Sequence, residues 1–170
     1  MKSILLRLIL LLPLHCLAQA PEANLQKLGI ELPSLQTPLG SYVAVVKVDH
    51  LLYLSGKGPL QTNGQYIKGK LGKDLSIESG YQAARLTAIN QLAVLKNELG
   101  DLRRVKRIIK VNGFVNSEGS FYDHPKVMDG FSDLLVQVFG EKGKHARTAL
   151  GVAALPLNMA VEVEMIVEVE

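Results

Sequence analysis

The chain has 170 residues, 48% of them apolar and only 5% aromatic, with no tryptophan and a single cysteine. That length suits one domain around one core, and the composition excludes a disordered chain, a collagen-like repeat and a disulfide-framed scaffold. The formal charge of +3 is set by the N-terminus: without Lys2 and Arg7, 17 basic residues face 16 acidic ones, so bulk charge gives no reason to expect a nucleic-acid partner.

Residues 1–20 have the layout of a secretory signal peptide. Lys2 and Arg7 make a basic start, Leu8 to Leu14 an apolar stretch, and Ala18-Gln-Ala20 an A-x-A cleavage pattern. The expected product is exported, periplasmic in a Gram-negative source, and cut after Ala18 or Ala20. The apolar run is shorter than the roughly 20 residues a bilayer span needs, so no stable membrane anchor is expected. Lipidation of Cys16 is the alternative, although His15 before it is not the small residue such a site uses. Loss of Cys16 with the signal leaves a chain without thiol chemistry.

Residues 21–40 hold Pro21, Pro33 and Pro38 and read as an extended lead-in to a single domain over 41–170. Tyr42 to Val48 and Leu51 to Ser55 are β-rich runs joined at Asp49-His50. The glycine-rich 59–72 stretch is a loop, and Asp74 or Ser76 caps the helix that follows. Tyr81, Ala84, Ala88, Leu92, Leu95 and Leu99 form its buried stripe, and Gly100 stops it. Val105 to Val115 is a third strand, His124 to Phe139 a second helix ended by Gly140. The runs around Arg147 and Val161–Val169 supply strands four and five, read as a hairpin through Pro156-Leu157-Asn158. The order β-β-α-β-α-β-β is an α+β fold: a mixed sheet with two helices on one face.

Arg147 opens the apolar stretch Ala146-Arg-Thr-Ala-Leu-Gly-Val-Ala-Ala-Leu-Pro156, and a guanidinium can grip a carboxylate through two parallel hydrogen bonds. Glu162, Glu164 and Glu168 share one parity of the last strand, and Glu162 is the one fifteen residues beyond the arginine. A hydrogen-bonded carboxylate can orient a water and take its proton. Without further context, Arg147 also fits a surface ion pair and the glutamates a solvated strand face. His50, His124 and His145 lack metal-ligand spacing, so no metal and no cofactor are expected. Arg103, Arg104, Lys106, Arg107 and Lys110 form the one basic cluster; without interleaved aromatics it reads as a solvated helix-to-strand junction.

Gly40-Ser-Tyr-Val43, Leu54-Ser-Gly-Lys-Gly-Pro59 and the Arg147 and Glu162 runs together resemble the YjgF-type Rid family of imine/enamine deaminases. The likeness is greatest to its longer "endoribonuclease L-PSP / chorismate mutase-like" branch, and it runs from about Leu28 to the C-terminus. The resemblance implies a chorismate-mutase-like homotrimer with sites between subunits. It also implies Arg147 as the anchor of a substrate carboxylate, Glu162 as the residue that positions water, and Tyr42, Ser55 and Gly56 as lining of the ligand cleft. Gly151 and Ala153 leave space along the arginine strand. Three positions depart from the family pattern: Ala149 replaces a cysteine, Met128 an asparagine, and Lys57 a glutamine. The expected activity is hydrolysis of small 2-imino or enamine acids to a keto acid and ammonia. Two alternatives stand beside it, a non-catalytic trimer that binds a small carboxylate and, more distantly, a ribonuclease.

Overall fold

A computed structural model describes residues 20–35 and 40–170. Apart from Ala20, the segment read as a signal peptide lies outside the described residues, as does 36–39. The elements are α1 (Pro21–Lys27), β1 (Val45–Val48), β2 (Leu51–Lys57), α2 (Ile77–Leu99), β3 (Val105–Asn116), α3 (His124–Phe139), β4 (Ala146–Val152) and β5 (Val161–Val169). The architecture is α+β, a five-stranded mixed sheet in the order β1-β2-β5-β3-β4, with α2 and α3 covering one face.

Each long helix begins and ends for a local reason. The Ser76 hydroxyl accepts the Ser79 N–H at 3.1 Å, and Gly100 ends α2 at φ +72°, a left-handed position a side chain resists. In α3, Pro125 falls in the first turn, where its missing N–H costs nothing. The two helices meet at Gly130, where a Cβ would run into the Tyr81 carbonyl. Met128 uses a second gap, lying over Gly113 of β3. The buried core consists of these helix stripes and the inward residues of the sheet, including Val111, Val163, Met165 and Val167.

The sheet corrects one expectation. β4 and β5 are not hairpin partners: β3 lies between them, parallel to β4 and antiparallel to β5. The α3 crossover returns β4 beside β3, and residues 153–160 then carry the chain over the end of β3 to its other edge. Leu157 and Asn158, both at positive φ, turn that connection. β5 becomes the central strand, which suits its unbroken alternation of buried and less buried residues.

The 21–40 lead-in is also corrected, because its first part is helical. Pro21 sits at the start of α1, and Leu25 is buried. Glu22 accepts the Leu102 N–H at 2.8 Å and Lys96 Nζ at 2.9 Å, while Asn24 Nδ2 donates to the Val138 carbonyl at 2.9 Å. These bonds fasten α1 across the ends of α2 and α3. The first strand starts at Val45 rather than Tyr42, and the second continues to Lys57 through a bulge.

Candidate functional site

The bulge in β2 organises one half of the site. Leu54 pairs with Met165 and Lys57 with Val163, so Ser55 and Gly56 fall where the ladder is interrupted. Interrupted ladders leave carbonyls without partners, and α2 supplies them. Gln91 Nε2 donates to the Ser55 carbonyl at 3.0 Å and to the Val163 carbonyl at 2.7 Å. Its neighbour Asn90 donates to the carbonyls of Gly58 and Leu60 at 3.0 and 3.1 Å. The Ser55 hydroxyl donates to the Val43 carbonyl at 2.7 Å, and the Ser55 N–H to the Ala44 carbonyl at 3.0 Å. Ser55 therefore ties the segment that carries Tyr42 to the bulge, and Tyr42 itself is 54% exposed in coil before β1.

Gly56 and Glu162 meet directly. The Glu162 carboxylate occupies the place a Cβ on Gly56 would take. It lies on the face of the sheet away from the helices and is half-buried. Burial pushes its pKa up, and the neighbouring Glu164 carboxylate pushes it the same way. Glu164 accepts Asn112 Nδ2 at 3.0 Å, and Glu168 is paired to Lys106. Among the described residues no hydrogen bond is made to the Glu162 carboxylate, so of the three same-parity glutamates it is the one without a bonded partner.

Arg147 lies elsewhere. It is level with Val111 of β3, whereas Glu162 is level with Phe114, and strand residues three apart point to opposite faces. The guanidinium turns to the helix side. Nη1 donates to Asp129 Oδ1 at 2.9 Å and to Ser132 Oγ at 3.0 Å, and Nη2 reaches the Pro125 carbonyl at 3.4 Å. His145 stands behind this group, with Nδ1–H donating to the Gly143 carbonyl at 2.7 Å and Nε2 3.1 Å from Ser132 Oγ. Burial and then the Arg147 charge hold the His145 pKa below its ordinary value, the Gly143 bond opposing them. Within one chain, then, Ser55, Gly56 and Glu162 are brought together and Arg147 is not.

Sequence reasoning passed over Asp129, Ser132, Asn90 and Gln91. The polar residues at i and i+3 on α3 beside the arginine strand were the available signal for the first two. A further cleft, about 460 Å³, opens at the C-terminal ends of β3 and β4 and is lined by Lys70, Ser117, Tyr122, His124 and Gly151. His124 Nε2 lies 3.1 Å from Ser117 Oγ, and Gly151 provides the room both need. Of the basic cluster, Arg103 is paired to Asp101, Arg104 to the Leu99 carbonyl, Lys106 to Glu168 and Lys110 to Thr148. Among the described residues no group of three His, Cys, Asp or Glu is placed to hold a metal ion, and no helix is long and apolar enough to cross a membrane.

Residues 22–169 match the family model described as "YjgF/chorismate_mutase-like, putative endoribonuclease". The chain belongs to this family. Among curated relatives, protein TCP17 of Trypanosoma cruzi is 46% identical over 86% of this chain and 92% of its own length. A 2-iminobutanoate/2-iminopropanoate deaminase of Dermatophagoides farinae is 28% identical over 83% of this chain and 95% of its own. Among solved structures, a Shewanella oneidensis protein is 38% identical over 88% of this chain and 99% of its own, with a TM-score of 0.85. The chorismate-mutase-like α+β fold read from the sequence is the fold of the matched family, and the Shewanella structure shares it.

Proposed function

We propose that this YjgF-family protein is a hydrolytic deaminase of small 2-imino or enamine carboxylic acids, exported and working as a homotrimer with its sites between subunits. The observation that carries the reading is the Glu162 carboxylate seated over Gly56 with burial raising its pKa, because a base is most useful when its pKa approaches the working pH. The deaminase activity of a relative 28% identical supports the same chemistry.

In this reading Arg147 holds the substrate carboxylate and Glu162 orients water against C2 of the imine. With the imine protonated, the water oxygen bonds to C2 and the C=N π pair moves to nitrogen as a water proton passes to Glu162, giving a neutral carbinolamine. Glu162 returns that proton to the nitrogen. The hydroxyl proton then passes to the Glu162 carboxylate as a C=O bond forms and the C–N bond breaks, and ammonia and a 2-keto acid leave. Since Arg147 and Glu162 face opposite ways in one chain, a neighbouring subunit supplies one of them at each site. The open sheet face suits such a neighbour, with Val46, Val48, Tyr53 and Leu150 exposed upon it.

The test is to give the purified protein freshly generated 2-iminopropanoate or 2-iminobutanoate and follow keto-acid release against the uncatalysed rate. Acceleration that is lost in Arg147→Ala is the expected result. Rates equal to buffer from a folded protein would overturn the deaminase reading and leave a carboxylate-binding protein in its place.

A further inference from the structure

The arginine anchor is held by a directional chain of hydrogen bonds whose other end is a histidine. Because the Gly143 carbonyl can only accept, His145 Nδ1 must carry its hydrogen. Neutral His145 then offers a lone pair at Nε2, and the Ser132 hydroxyl points its hydrogen there. That orientation turns the Ser132 lone pairs toward Arg147 Nη1, which also donates to Asp129. All the strong bonds therefore fall on Nη1. Among the described residues Nε makes no hydrogen bond, and Nη2 makes only the 3.4 Å approach to the Pro125 carbonyl. The Nε–Nη2 edge is the one left for a bidentate ligand.

We propose that His145, acting through Ser132, is a positioning residue that fixes the Arg147 guanidinium so that its Nε–Nη2 edge meets a carboxylate ligand. The ligand role of Arg147 rests on the function proposed above; the positioning by His145 rests on the geometry alone. Asp129 shares the work by holding the second Nη1 hydrogen and offsetting the charge of a guanidinium that is largely covered. Without the histidine lone pair, Ser132 is free to rotate its own hydrogen toward the guanidinium, and the anchor loses its bearing.

The experiment compares the native protein with His145→Leu and His145→Gln. Gln keeps an acceptor near the place of Nε2; Leu keeps only bulk. Nitrogen-15 NMR of the guanidinium, assigned by the signal missing from Arg147→Ala, reads whether rotation of the group is hindered. Separate Nη–H signals are expected in the native protein and in His145→Gln, and averaged ones in His145→Leu, with all three folded by near-ultraviolet circular dichroism. Titration with 2-oxobutanoate, a carboxylate probe, should show binding about tenfold weaker in His145→Leu and near-native in His145→Gln. Signals already averaged in the native protein, signals unchanged in His145→Leu, or a His145→Gln that behaves as His145→Leu would each overturn the proposal. Absence of imine turnover beside the expected NMR pattern would remove the deaminase reading and leave the positioning role standing.

Discussion

Arg147 and Glu162 stand on opposite faces of the sheet, on strands separated by β3 and offset by three residues along it. No rotamer of an arginine on the helix face reaches around a packed sheet to a glutamate on the other. A site that uses both must draw them from different chains, as a cyclic oligomer does when each interface joins two unlike patches.

That requirement predicts complementation. Arg147→Ala and Glu162→Gln proteins should each be inactive in keto-acid release. Refolded together in equal amounts, they should regain activity in about a quarter of the sites, those where an intact arginine of one chain meets an intact glutamate of the next. Failure of mixed oligomers, verified by mass, to recover any activity would place both groups in the same chain and contradict the sheet geometry.

The contact between Gly56 and Glu162 gives a second prediction. A methyl at Gly56 takes the space of the carboxylate, so Gly56→Ala should move the base without removing it. We expect kcat to fall by about 10² or more, the usual contribution of a positioned base, with a stability loss of about 1–3 kcal/mol from overpacking. A near-native kcat in Gly56→Ala would show that Glu162 is not the group that activates water.

These relationships differ in how legible they were in the sequence. The long helices, their caps and the period-two last strand are local patterns, and Ser76, Gly100 and Gly140 mark the boundaries where expected. The separation of strands four and five is not a local pattern: adjacency in sequence favours a hairpin, while the β3–α3–β4 crossover leaves β5 only the other edge of β3. The proline-rich start concealed α1, since Pro21 is harmless in a first turn and Glu22 finds its partners 74 and 80 residues away. The Asp129, Ser132 and His145 contacts to the arginine are likewise tertiary. The motif named Arg147, but only the fold shows what holds it.

The pKa of Glu162 makes two pH predictions. Its carboxyl is raised first by burial and then by Glu164, so Glu164→Gln should shift the acidic limb of the kcat profile to lower pH. The same shift affects stability. Above the ordinary value of 4.5 the folded protein retains this proton more than the unfolded chain does, so stability falls as pH rises through the raised value. Glu162→Gln should therefore have a higher Tm than native at pH 7, with the difference vanishing below about pH 4. A Tm lower than native at neutral pH would mean that the charged carboxylate is welcome where it lies.

Gln91 is the point at which helix, bulge and glutamate are joined. Its amide gives both hydrogens to the carbonyls of Ser55 and Val163, one on each side of the broken ladder, while its own carbonyl oxygen is buried without a hydrogen-bond partner. Gln91→Leu removes that unpartnered oxygen, which favours the variant, and abandons the buried Val163 carbonyl and the part-buried Ser55 carbonyl, which costs about 1–3 kcal/mol each. The second effect is larger, so a net loss of about 2–4 kcal/mol is expected in urea unfolding. Because the bulge places Gly56 under Glu162, kcat should fall at temperatures where Gln91→Leu is still folded. A stability loss with kcat intact would show that the strand holds the bulge without the helix, and that α2 serves the core alone.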